Sequence, residues 1–276
     1  RLGTSGISAG TQAASSAWSK YEKRQAAKDA ALAGVHLDAA HPGSRSWLER
    51  EITYLDPIII NALLAEETRP RMVMFEQGAL MILRGVNLNE DAQPEDMVSI
   101  RLWIDGSRII SLRRRRLKAV SDLRDRLAEG TGPKNSADFI SMLTGRLFER
   151  MEPVLTELDE HLDDAEEEVM ESPTPAARQA INALRKQAII FRRYIAPQRD
   201  VIAHLRVSEL PWLDAMNTRR LQENLEMVIR YLDDLDTILD RAQTVMEELA
   251  SALAHPLHKN PNDRVVTPHT LHPPHL

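Results

Sequence analysis

Residues 221–253 read LQENLEMVIRYLDDLDTILDRAQTVMEELASAL. Within them Leu221, Leu225, Val228, Leu232, Leu235, Leu239, Ala242, Met246, Leu249 and Leu253 step by four and three alternately. That 3.5-residue repeat belongs to a helix that packs left-handed against other helices. At about 1.5 Å per residue the stretch spans roughly 48 Å, longer than a compact domain of this size needs. It therefore reads as a stalk, and a stalk needs partners.

Working back along the chain, Ala177, Ile181, Leu184, Ala188, Phe191, Ile195, Ile202 and Leu205 predict a helix to about Arg206. Thr174 is placed to cap it and Pro175 to open it, while Pro197 inside it predicts a kink near Tyr194. Before the break at Ser172-Pro173-Thr174-Pro175, a helix is expected from Ser136 to Glu171, with Met151, Leu155, Leu158, Leu162, Ala165 and Val169 on its apolar face. A shorter helix, Ala119 to Glu129, is stopped by Gly130-Thr131-Gly132-Pro133.

From Val35 to Lys118 the pattern changes. Val35-His36-Leu37-Asp38 reads as a strand, and Ser44 to Glu51 and Pro57 to Glu66 as short helices with Ser44 and Asp56 at cap positions. Arg71–Phe75 and Ala79–Arg84 join across Gln77-Gly78. Met97–Ile104 and Arg108–Leu112 join across Asp105-Gly106, the strongest hairpin signal in the chain. The expected fold class is α+β: an N-terminal mixed α/β, sandwich-like domain over 34–135, a long antiparallel helical hairpin over 136–208, and a very long C-terminal stalk helix over 209–254. Residues 1–33, rich in Ala, Ser, Gly and Thr, read as a poorly ordered or atypical extension, with Lys20 to Ala33 able to form a helix. The tail over 255–276 is rich in His and Pro and is expected to be unstructured.

Composition removes several function classes. The 276 residues include no Cys and carry a formal charge of -6, so a disulfide scaffold, a thiolate zinc site and a Cys nucleophile are excluded. The longest apolar runs are a few residues, such as Ala188-Ile189-Ile190-Phe191, against the roughly 20 that span a bilayer. As given, the chain reads as soluble. A net acidic chain with no aromatics interleaved in its basic run does not read as a nucleic-acid binder. No Gly-rich phosphate loop, HExxH or Gly-x-Ser-x-Gly setting occurs, so neither an enzyme nor a bound cofactor is expected.

Five strings then point one way: Glu67-Thr68-Arg69-Pro70-Arg71, Leu83-Arg84-Gly85-Val86-Asn87-Leu88-Asn89, Asp96-Met97-Val98-Ser99, Ile110-Ser111-Leu112-Arg113-Arg114-Arg115, and Phe191-Arg192-Arg193-Tyr194-Ile195-Ala196-Pro197-Gln198-Arg199. With the order of elements, they resemble the cytoplasmic domain of the CorA family of divalent-cation transporters, in its zinc-transporting, ZntB-like branch, from about Val35 to Leu253. The resemblance implies a homopentamer whose α/β domains form a funnel. It also implies a stalk that lines the funnel and continues into the first of two membrane helices, followed by a Gly-Met-Asn-like tripeptide. The cation, zinc or magnesium, would be transported or regulatory, and the direction is open. Neither the membrane helices nor the tripeptide is in this sequence, which continues His255-Pro256-Leu257-His258 where the family enters the bilayer. The chain is thus expected to be a cytoplasmic fragment, or one with altered ends. At full length it would lie on the cytoplasmic side of the bacterial inner membrane, held by helices absent here. The competing reading is a soluble scaffold that self-associates through residues 221–253 and transports nothing.

Four groups of side chains are candidates for chemistry. Between Glu152 and Glu171 there are ten carboxylates and no Lys or Arg, so Asp163, Asp164 and Glu167 could concentrate cations diffusely or simply be solvated. Asp233, Asp236 and Asp240 share one helix face. Turned to an oligomer axis they would form carboxylate rings that attract cations; turned outward they would pair with Arg230 and Arg241 or the neighbouring domain. His269, His272 and His275 could hold zinc loosely, although three His separated by Pro without a packed surround make a poor selective site. His36, His161 and His204 stand alone and read as structural. The basic run Arg113 to Arg116 with Lys118 could meet a polyanion or membrane surface, but pairing within the chain or between subunits is the reading preferred, with the acidic helix as a nearby partner.

Overall fold

Two hairpins build the sheet. β2 (Arg71–Phe75) pairs antiparallel with β3 (Gly78–Gly85), and β4 (Val98–Ile104) with β5 (Arg108–Arg113). In the second turn Asp105 Oδ1 accepts from the amides of Ser107 (2.9 Å) and Arg108 (2.8 Å), the local bonding that makes Asp a turn residue. At Gly78 a Cβ would lie 2.6 Å from the Ile104 carbonyl oxygen, so only Gly fits there. β3 and β4 also pair antiparallel, and β1 (Ala33–Asp38) adds to β5 in parallel, giving the order β1-β5-β4-β3-β2. The computed structural model describes residues 33–66 and 68–254. The expectations for the N-terminal extension before Ala33, including most of the Lys20–Ala33 helix, and for the His/Pro tail lie outside the described residues.

Alternation along the strands feeds two cores. Leu80, Trp103, Ile110 and Leu112 pack beneath α1 (Ser44–Glu51) and α2 (Pro57–Leu64). Met81, Leu83, Ile100, Leu102 and Ile109 face the longer helices in a second cluster that continues without a break to Leu249. Covered on both faces, β4 is buried at every position. Asp56 caps α2 as expected, accepting from the Ile58 amide at 2.7 Å. Ser44 does not cap α1: Gly43 holds that position, and the Ser44 hydroxyl donates to the Asp38 carbonyl at 2.5 Å. α2 stops at Leu64, two residues short of the expected end.

After α3 (Lys118–Ala128), Gly130 takes φ +81°, the left-handed conformation that ends a helix. The helix expected over 136–171 is two helices, α4 (Ser136–Glu149) and α5 (Glu152–Glu171), joined by a turn at Arg150-Met151. Pro153 supplies the reason, having no N–H to return to the Glu149 carbonyl one turn earlier. α6 (Pro175–Val207) opens as expected, with Thr174 Oγ1 accepting from the Ala177 amide at 3.1 Å, and runs through Pro197.

α7 (Ala215–Ala254) is 40 residues long, roughly 60 Å. Its burial is not centred where the 4-3 steps suggest. Leu221, Val228, Leu235, Ala242 and Leu249 are completely buried, but so nearly are Asn217, Asn224, Tyr231, Ile238 and Val245, a second set at every seventh residue. The alternate steps drift outward, from Leu225 (7% exposed) to Leu253 (41%). The cause is that α7 lies in a groove, packed most extensively against α6, then α4, then α5. No helix among the described residues is long and apolar enough to cross a membrane.

Candidate functional site

Four of the five strings meet at Arg84, where the sheet meets α6. Arg84 donates through Nε (3.1 Å) and Nη2 (2.7 Å) to the Thr68 carbonyl and through Nη1 to the Met97 carbonyl (2.6 Å). Its guanidinium lies 4.3 Å from the centre of the Tyr194 ring, a cation–π contact. Its own amide donates to Oε1 of the fully buried Gln198 at 2.9 Å. Alongside, Arg101 and Arg114 close the C-terminal end of α2. Arg101 Nη2 donates to the carbonyls of Ala65 (2.8 Å) and Glu66 (3.2 Å), and Arg114 Nη2 to that of Leu64 (3.2 Å). Cations belong at a helix C-terminus. Arg101 is fully buried, and burial with Arg114 and Arg84 nearby pushes its pKa down to about 10. The basic run is thus used in part inside the chain, with Arg114 also 3.7 Å from Glu66.

The acidic helix finds a different cation from the one expected. Arg241 reaches from α7 to α5, with Nη1 2.7 Å from Asp159, Nη2 2.7 Å from Glu166 and a further bond to Asp163. Those carboxylates, led by Glu166 and Asp163, raise the Arg241 pKa. Asp236 is held by Arg192 of α6, not by a cation on its own helix. Asp233 and Asp240 are exposed on α7, and Asp164 and Glu167 on α5. Among the described residues no three His, Cys, Asp or Glu side chains come together in a way that could hold a metal ion. The three tail histidines His269, His272 and His275 lie outside the described residues. Sequence reading missed Asp159, Glu166 and Arg241 as a unit. One signal was present: Arg241 is the sole basic residue in 231–254, facing a helix that has none.

A buried polar seam sets the register of α7 on α4. Asn217 Nδ2 donates to Asp138 (3.0 Å) and Asp214 (2.9 Å), and its oxygen accepts from the Ser141 hydroxyl (2.6 Å). One heptad on, Asn224 Nδ2 donates to the Ser141 carbonyl (2.9 Å) and to Thr144 Oγ1 (2.8 Å). Buried amides with partners at one register only exclude slipped alternatives.

The arrangement ties the sheet through Arg84 to α6, and holds a long helix to α4, α5 and α6 by paired charges and buried amides. Residues 30–262 match the family of CorA-like Mg2+ transporter proteins. The zinc transport protein ZntB of Yersinia enterocolitica is 35% identical over 220 residues, which are 80% of this chain and 67% of that protein. Among solved structures, the full-length CmaX protein superposes with a TM-score of 0.74 at 34% identity, covering 80% of this chain and 68% of that one. The ZntB cytoplasmic domain from Vibrio parahaemolyticus does so with 0.73 at 26% identity, covering 81% and 88%.

Proposed function

The chain belongs to the CorA-like family of Mg2+ transporter proteins, and from that premise we propose that it is the cytoplasmic vestibule of a divalent-cation transporter of the ZntB-like branch, with zinc as its cargo. The observation that carries the choice of zinc is the 35% identity with the zinc transport protein ZntB over 220 residues. The described residues have the fold of the solved ZntB cytoplasmic domain, and α7 extends well beyond what the sheet requires. In this reading five copies surround an axis with α7 innermost, and α7 passes cation occupancy toward the membrane.

Zero Cys bears on how the cargo is handled. Zinc crossing this domain would meet carboxylate, imidazole and water, which hold it more loosely than thiolate and suit passage. Of the three stalk carboxylates, Asp233 and Asp240 are exposed, while Asp236 is already neutralised by Arg192. The first two are therefore the ones we assign to a cation-attracting ring.

The test is a chimera in which residues 33–254 replace the corresponding domain of the Yersinia enterocolitica ZntB, followed by zinc-65 flux in membrane vesicles. Flux comparable to the parent supports the vestibule reading. A chimera that inserts and assembles but passes no zinc, while the domain alone self-associates without regard to zinc, favours the scaffold reading.

A further inference from the structure

A second region of the molecule, away from the stalk, has the features of a ligand site. A cavity of about 830 Å3 lies between the β1/β5 edge of the sheet and the start of α3. That volume falls within the roughly 300–1,000 Å3 typical of small-molecule pockets. Its floor includes His36, which is 3% exposed.

The hydrogen bonds around His36 assign its tautomer. Ser111 Oγ donates its one proton to the Val35 carbonyl at 3.1 Å. The 2.8 Å contact between His36 Nδ1 and Ser111 Oγ must then be donated by the imidazole. Nε2 is left as a bare lone pair, buried and with no partner among the described residues. Burial, with Arg113 adding to it, pushes the His36 pKa down to about 3, so the ring is neutral at physiological pH. A buried acceptor without a donor costs free energy unless something supplies one.

The rest of the lining is cationic. Arg113, Arg116 and Lys118 line the cavity, and none of the three forms an ion pair among the described residues, whereas its acidic members Asp122 and Asp125 are bound to Arg150 (2.7 Å) and Arg124 (3.0 Å). Glu90 is the remaining acid at the wall, and Asp38 stands beside Arg113 in the strand register. α3 begins here with Leu117 at its N-cap and no side chain capping it. The amides of Lys118 and Ala119, at the first two positions of the helix, have no acceptor within it and are thus available to an anion, whereas those of Val120 and Ser121 donate to the Leu117 carbonyl at 3.0 and 3.3 Å.

We propose that this cavity binds a phosphorylated small molecule. Its phosphoryl oxygens would be received by Arg116, Lys118 and the first amides of α3, and a ligand hydroxyl would donate to His36 Nε2. The neutral histidine is what separates this from a patch for any anion, because it accepts and does not donate. It therefore favours a ligand carrying an O–H, such as hydrogenphosphate or a nucleotide ribose. His36, at the floor, is 3% exposed, which favours a free solute that can enter the cavity over a lipid headgroup held in a bilayer.

Titration calorimetry of the chain with inorganic phosphate and with ADP, at low salt and without metal, tests this. Both should bind, ADP the tighter because it fills more of the cavity. The surface double substitution Arg116→Ala/Lys118→Ala, at two exposed positions, should weaken both by at least about tenfold, equivalent to about 1.4 kcal/mol. His36→Asn keeps a donor for Ser111 but removes the Nε2 acceptor, and should weaken binding several-fold with an unchanged circular dichroism spectrum. Arg199→Ala, on α6 and paired among the described residues with its neighbour Asp200, should bind as the unaltered chain does. The proposal is overturned if neither ligand binds up to about 5 mM, or if the double substitution binds as tightly as the parent. Sedimentation with phosphatidylglycerol vesicles, in the absence of binding to either soluble ligand, also overturns it.

Discussion

His36 and Arg241 show how little a residue's own neighbourhood in sequence says about its partners. The folded pKa of His36, about 3, lies below the ordinary 6.5. The unfolded chain therefore takes up a proton that the folded chain refuses, so stability present above pH 6.5 drains away as pH falls toward 3. The slope is at most about 1.4 kcal/mol per pH unit for one group. Urea unfolding at pH 7 and pH 5 should show the parent losing more stability than His36→Gln, by up to about 2 kcal/mol; parallel losses would count against a buried neutral imidazole. Arg241 binds three carboxylates while its side chain is 31% exposed, so solvent screening limits its contribution. Arg241→Ala should lower stability by about 1–2 kcal/mol, and 1 M salt should shrink the difference. The acidic run was plain in the sequence. Its cation was not, because the pairing spans 75 to 82 residues and depends on how α5 and α7 lie together.

At the scale of elements, the seam of α7 separates positions that periodicity treats alike. Leu235 is completely buried and Leu253 is 41% exposed, although both belong to the same 4-3 series. Leu235→Ala should cost about 2–5 kcal/mol, and Leu253→Ala no more than about 0.5 kcal/mol, by urea denaturation of this chain. Similar costs at the two positions would mean that α7 is not seated in the groove described. The register depends on amides: Asn224→Ala removes the donor that serves the Ser141 carbonyl and Thr144, and should cost about 1–3 kcal/mol. Hairpins and caps were largely legible, since Asp105-Gly106, Asp56 and Thr174 act through bonds to residues two or three away. The break between α4 and α5 was marked by Pro153, but its apolar positions run through the turn unbroken, and Met151 is buried within it.

For the whole molecule, the vestibule reading makes a demand on surface charge alone. Asp233→Asn/Asp240→Asn in the zinc-transporting chimera should reduce flux several-fold at low zinc while leaving the melting temperature within a few degrees, because both side chains are exposed. Asp236→Asn should instead lower stability slightly, by about 0.5–1 kcal/mol, through the loss of Arg192 as a partner. The reverse pattern would move the cation-attracting role elsewhere on the stalk. The sequence by itself determined the fold class, the long stalk, the two hairpins and the family, because each rests on periodicity, turn chemistry or ordered strings that survive without coordinates. Only the tertiary structure decided that β1 joins the sheet in parallel beside β5, that Arg84 joins four of the five strings, that Arg241 and Arg192 take up the carboxylates, and that His36 opens on a cationic cavity. Those outcomes depend on which faces of distant elements meet, and a one-dimensional pattern records the face of each element without recording its neighbour.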